Sequence, residues 1–172
     1  MKKIISVEGK SGSGKSTFSK FLAKALDYEY VDLDVIAKDC YKESSVVEKL
    51  ISLFPDNIFK EDTVDYKELG RIVFDDASKM KLLEEILYPC LIKKVDQIIA
   101  SCSNGCVLDG IKIHQTKFFN KSDLRVFVKR NKETRIDSLI KRDNVTRVSA
   151  QSRDNVINYD GLEFDLVVEN DG

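Results

Sequence analysis

The run Gly9-Lys10-Ser11-Gly12-Ser13-Gly14-Lys15-Ser16-Thr17 fits G-x-x-x-x-G-K-[ST] at every fixed position, a spacing whose chemistry is the gripping of phosphate. Glycines permit a tight backbone path that turns successive N–H groups inward on an anion, and the following helix adds the positive end of its dipole. In such a loop Lys15 reaches the β- and γ-phosphates of ATP, and the Ser16 hydroxyl sits on the Mg²⁺ that bridges them. Gly9, Gly12, Ser13, Gly14 and Thr17 complete the nucleotide-binding set. Three aspartates are the next candidates. Asp32 and Asp34 follow a β-rich stretch and either converge on a reacting group or leave one of them to N-cap the next helix. Asp109 closes the apolar run Cys106-Val107-Leu108 and either holds Mg²⁺ through water or forms a turn with Gly110. Arg142, Arg147 and Arg153 form the fourth group. They are either a lid that stabilises the transferring phosphoryl group or a solvated cationic surface paired with Glu133, Asp137 and Asp143.

The elements that must position these residues are legible in the hydrophobic pattern. Ile4, Ile5 and Val7 read as a buried strand before the loop, and Phe18, Phe21, Leu22, Ala25 and Leu26 as the inner face of the helix after it. Further strands are expected at Tyr28–Asp32, running on into Asp32-Leu33-Asp34, and at Cys106–Asp109, Leu124–Val128 and Phe164–Val168. Residues 39–101 are strand-poor. One helical stripe there runs through Val46, Val47, Leu50, Ile51 and Phe54. Another runs through Leu83, Ile86, Leu87, Leu91, Val95, Ile98 and Ile99, with Pro89 expected to kink or split the helix near Tyr88. A third helix, over about 64–74, is expected to be capped by Asp65. The fold class is therefore α/β: a three-layer α/β/α arrangement around five mostly parallel strands, with a helical insertion at about 35–100 that closes over an acceptor. A polar, turn-like, arginine-bearing lid is expected at about 141–155, all within one domain, 1–172.

With 28 Lys+Arg against 29 Asp+Glu the net charge is −1, so no global field draws the chain to nucleic acid or an anionic membrane. No apolar run is long enough to cross a bilayer, and because Glu8 interrupts the opening apolar stretch and no small-residue cleavage site follows, no secretion signal is expected. A cytoplasmic monomer is the expectation. Cys40, Cys90, Cys102 and Cys106 lack metal-ligand spacing and are expected as free thiols.

Several segments together resemble the dephospho-coenzyme A kinase family: Gly12–Thr17, Val31-Asp32-Leu33-Asp34-Val35-Ile36-Ala37, Leu69–Phe74, Leu82–Pro89, Arg142-Asp143-Asn144-Val145-Thr146-Arg147 and Phe164–Asn170. The resemblance implies a P-loop kinase that phosphorylates the ribose 3′-hydroxyl of dephospho-CoA with ATP. It implies Asp34 as the catalytic acid that orients and deprotonates that hydroxyl, with Lys15 and Arg142 acting on the phosphoryl group. Arg147 would contact ATP, and Asp32, Tyr88, Asp109 and Arg153 would lie on the acceptor side. The chain departs from the family pattern at Tyr88, where histidine is usual, and across Asp109-Gly110-Ile111-Lys112-Ile113-His114-Gln115. Ser138 also stands where many relatives have arginine. The segment Leu22–Asp32 is also similar to cytidylate kinases, and a nucleotide-binding relative without transfer activity is the remaining alternative.

Overall fold

The computed structural model describes residues 2–171 except 62, 75 and 156, with only the backbone described at 56, 74, 153 and 155. In chain order the first elements are β1 (Lys3–Glu8), α1 (Lys15–Leu26), β2 (Glu29–Asp32), α2 (Leu33–Cys40) and α3 (Ser44–Leu53). A short hairpin follows, β3 (Phe59–Lys60) and β4 (Thr63–Val64), then α4 (Tyr66–Phe74) and α5 (Ala77–Ser101). The last third contains β5 (Gly105–Asp109), α6 (Lys117–Lys121), β6 (Leu124–Lys129), α7 (Lys132–Asp143), α8 (Arg147–Asn155) and β7 (Leu166–Glu169). These elements gather into two compact units, Met1–Asp32 with Ile99–Gly172, and Leu33–Ile98.

The first unit is built on five strands in the order β2-β5-β1-β6-β7. Every pairing among them is parallel. All five residues of β5 are buried, as expected for a central strand covered on both faces. Ile5, Val7, Val107, Val126 and Val128 pack with Ala23 of α1, joined by the partly buried Phe18 and Leu22. The α1 face therefore differs from the expected one. Ser19 and Ala23 are buried, whereas Phe21 is 70% exposed and Leu26 42%. Small residues let the helix lie close to the sheet, and that close approach rotates the larger ones outward.

The second unit is helical apart from the hairpin β3–β4, too short to show a period in the sequence. Cys40, Val46, Leu50, Ile58, Val73 and Val95 are among its buried residues, while Ile51, expected on the inner stripe, is 55% exposed. Asp65 caps α4 as expected, its Oδ1 accepting from the backbone N–H groups of Lys67 at 3.0 Å and Glu68 at 3.2 Å. Pro89 does not split α5, which runs from Ala77 to Ser101 with the proline inside it. Leu83, Ile86 and Leu87 are buried before the proline and Leu91 and Val95 after it, so packing holds both halves of the helix in place despite the lost backbone bond.

Candidate active site

The phosphate loop leaves the carboxyl end of β1 and enters α1 through Gly14, whose φ of 86° lies in the left-handed region open to glycine. No side chain caps the start of α1 and its first turn carries no acid, so its leading N–H groups and its dipole are left to an anion. The rest of the loop is braced from three sides. Asn170, just past β7, donates from Nδ2 to the Ser13 carbonyl at 2.8 Å, so close that a Cβ on Gly14 would lie 2.3 Å from that nitrogen. Arg130 donates from Nη1 to the Gly12 carbonyl at 3.3 Å and to Ser138 Oγ at 3.1 Å. Lys10 donates from Nζ to the Asp154 carbonyl at 3.2 Å. A cleft of about 530 Å³ lies beside this arrangement, with Lys10, Arg130, Lys132 and Arg135 on its cationic side. Sequence reasoning did not single out Arg130. Its signal was its place directly after the apolar strand β6, at the same edge to which β5 delivers Asp109.

Asp32 and Asp109 are brought together. They are neighbours in the β2–β5 register, and the Tyr30 hydroxyl lies between them, donating to Asp109 Oδ2 at 2.8 Å and lying 3.3 Å from Asp32 Oδ2. Burial, and then the bond to Asp109, pushes the Tyr30 phenol upward, so it stays protonated. Asp109 is 2% exposed, and its Oδ1 has no hydrogen-bond partner. Among the described residues no three His, Cys, Asp or Glu side chains form a metal cage. An unpartnered buried carboxylate oxygen at the end of the strand beside β1, from which the phosphate loop departs, nonetheless suits Mg²⁺, which takes few protein ligands and completes its shell with water and phosphate oxygens.

Asp34 is not a strand residue. The expectation that it shares a strand face with Asp32 fails because α2 begins at Leu33, and the exposed Asp34 stands in its first turn, where a carboxylate is favoured by the dipole. The expected lid is helical rather than turn-like, with only 144–146 outside α7 and α8. Ile136, Leu139 and Ala150 seal the two helices together, supported by Ile140 and Val145. Arg142 binds Asp143 through Nε at 2.7 Å and Nη2 at 3.0 Å, and Arg147 pairs with Glu133 and, at 3.2 Å, with Asp137. These are the carboxylates of the alternative solvated-surface reading. Tyr88 is half-buried in α5, with burial and then Glu84 pushing its phenol up to about 12. The Arg153 side chain lies outside the described residues.

The chain matches the dephospho-CoA kinase (CoaE) family over residues 3–160. It belongs to that family. It is 31% identical over 179 residues to the dephospho-CoA kinase of Fusobacterium nucleatum subsp. nucleatum, an alignment covering 97% of this chain and 89% of the relative. It is 28% identical to that of Oryza sativa subsp. japonica, covering 99% and 77%. Two solved structures share its fold. A Thermus thermophilus protein superimposes with a TM-score of 0.82 at 21% identity, over 99% of this chain and 90% of that one. The dephospho-CoA kinase from Campylobacter jejuni gives 0.65 at 20% identity, over 100% and 90%. The recognition from sequence, the α/β P-loop fold and the assignment as a kinase all stand.

Two buried charged groups of this family member were not foreseen. Asp154 of α8 is 3% exposed and binds Arg135 of α7, itself 6% exposed, with Lys10 at 3.8 Å and Lys132 at 4.0 Å. Burial works to raise the Asp154 carboxyl, but the three cations outweigh it and hold it below its ordinary range. Nothing local in the sequence marks a buried partner for Arg135 at this separation. The second group is Glu8, fully buried just before Gly9. Its Oε1 accepts from the His114 backbone N–H at 3.1 Å and lies 2.7 Å from His114 Nδ1.

Two outcomes are expected from these groups. Asp154→Ala leaves the Arg135 guanidinium buried without its counter-ion and should destabilise the protein by about 3–5 kcal/mol, read from the urea midpoint. An unchanged midpoint would show that the pair is not buried in solution. Burial pushes the Glu8 carboxyl above its ordinary range despite the His114 bonds. A native state that holds this proton more tightly than the unfolded chain loses stability as pH rises from the unfolded value through the raised one. Glu8→Gln escapes that loss. Its Tm relative to the unsubstituted protein should climb above about pH 4.5 and level off once Glu8 is ionised, and a flat difference refutes the raised value.

Proposed function

We propose that this chain transfers the γ-phosphoryl group of ATP to the ribose 3′-hydroxyl of dephospho-CoA, the final step of coenzyme A biosynthesis. The observation that carries the reading is the uncapped α1 N-terminus behind Gly14, with Asp109 at the neighbouring strand end, in a chain whose family match spans residues 3–160. In this reading 1–172 is one kinase domain, with the helical unit as its acceptor-binding insertion and 141–155 as its lid. It acts in the cytoplasm as a monomer. Among the described residues no helix is long and apolar enough to cross a membrane.

The loop amides from Gly9 to Thr17 bind the phosphate oxygens, and Lys15 neutralises the β- and γ-phosphates. Ser16, and Asp109 through water, are the residues that would hold Mg²⁺, which when bound offsets charge on the β,γ-oxygens. Asp34 aims the acceptor hydroxyl in line and accepts its proton late, when the bond to phosphorus is forming. In this reading Asp32, Tyr88 and Arg153 are assigned to binding the acceptor. Arg142 and Arg147 exchange their carboxylate partners for phosphoryl and nucleotide oxygens as the lid closes. Exposed pairs of this kind hold weakly, so the exchange is cheap.

Lys15→Ala should abolish transfer. Asp34→Asn should lower kcat by about 10²–10⁴-fold while leaving ATP affinity nearly unchanged, and near-normal turnover would remove Asp34 from the mechanism. The acceptor is tested by incubating the protein with Mg²⁺-ATP and dephospho-CoA, CMP or AMP and following ADP release. Turnover with dephospho-CoA supports the proposal. Turnover only with a nucleoside monophosphate, or binding without turnover, replaces it with one of the two alternatives.

A further inference from the structure

Tyr30 and Asp32 are two positions apart on β2 and therefore share one face of the sheet, and Asp32 sits beside Asp109 in the register with β5. Three oxygen-bearing side chains thus meet at the carboxyl edge next to β1, from which the phosphate loop departs. A phenol has one proton to give. The 2.8 Å contact directs it to Asp109 Oδ2, with Asp32 Oδ2 the longer neighbour at 3.3 Å. The Lys20 ammonium lies 5.3 Å from the centre of the Tyr30 ring and steadies the ring from its face. Of the two Asp109 oxygens, one is held by the phenol and the other, Oδ1, is buried with no partner. Leaving a buried carboxylate oxygen unpaired is unfavourable unless a ligand supplies the missing interaction.

We propose that Tyr30 is a positioning residue, which holds Asp109 Oδ2 so that Oδ1 is presented to the water shell of the cation at the phosphate site. The inference deepens the proposed function and rests on its reading of Asp109. Terminal carboxylate torsions are broad and roughly two-fold, so without the phenol both oxygens sample the site and neither is held. A residue that fixes a ligand's orientation in this way usually matters to metal affinity about as much as 10–100-fold.

The test uses the full chain, Mn²⁺ as the paramagnetic stand-in for Mg²⁺, and a non-hydrolysable ATP analogue. Free Mn²⁺ is read by electron paramagnetic resonance. Tyr30→Phe removes a single oxygen and should weaken Mn²⁺ binding to the protein–nucleotide complex by about 10-fold. Affinity for the metal-free analogue, measured in EDTA, should be unchanged. In an Asp109→Asn background the same substitution should have no further effect. Mn²⁺ affinity within about twofold of the unsubstituted protein, with only Tm lowered, would reduce Tyr30 to a structural role and overturn the proposal. If Tyr30→Phe fails to fold, Asp109→Asn alone decides, since unchanged Mn²⁺ affinity there leaves nothing for Tyr30 to position. A protein that shows these Mn²⁺ effects yet never phosphorylates dephospho-CoA would lose the proposed reaction and keep the inference.

Discussion

The left-handed turn at Gly14 is the constraint on which the rest of the first unit depends. It starts α1 abruptly at the end of β1 and keeps side chains away from the leading amides, so the backbone itself offers the anion site. A backbone site is only as good as its rigidity. Here the loop carbonyls are held by Asn170 and Arg130, and one of its lysines by Asp154, residues drawn from past β7, past β6 and from α8. The parallel sheet brings these distant segments to one edge, because every strand ends on the same side.

Asp154 ties that loop to the paired helices α7 and α8. Its carboxylate takes Arg135 from α7, while its backbone carbonyl and its second oxygen attract Lys10 from the loop. A buried ion pair adds little net stability compared with apolar packing, but it is intolerant of losing one partner, and this specifies how the two helices sit. Arg142 and Arg147 of the same helices pair with the surface carboxylates of Asp143, Glu133 and Asp137. The basic segment is thus divided by burial into residues that fix geometry and residues at liberty to exchange partners.

Two carboxylates beneath the site carry the opposite signature. Glu8 and Asp109 are both buried with one oxygen bonded and one unpartnered, an arrangement proteins seldom retain in an ordinary core. They stand on neighbouring strands, β1 and β5, at successive register positions, so their side chains leave opposite faces of the sheet. Asp109 faces the α1 side with Val7, and Glu8 the side of the turn that carries His114. The pleat of the sheet, rather than sequence distance, separates their tasks.

The phosphate loop, the five strands and the helical character of 39–101 were readable because each rests on local signals: glycine spacing, β-branched runs and the helical period. The Asp65 cap was readable for the same reason. Where neighbours in space decide, the sequence reading went astray. Phe21 and Ile51 lie outside because the packed face of a helix is chosen by what it meets, and α5 passes through Pro89 because burial on both sides outweighs one lost bond. By itself, then, the sequence determined that a phosphate-binding loop opens a parallel α/β sheet and that Asp32 and Asp109 end two of its strands. Only the tertiary structure decided that Tyr30 joins Asp109, that Arg135 is buried on Asp154 and that Arg130 and Asn170 hold the loop. Such contacts join residues far apart in the chain, and no local pattern encodes a partner that folding alone brings into reach.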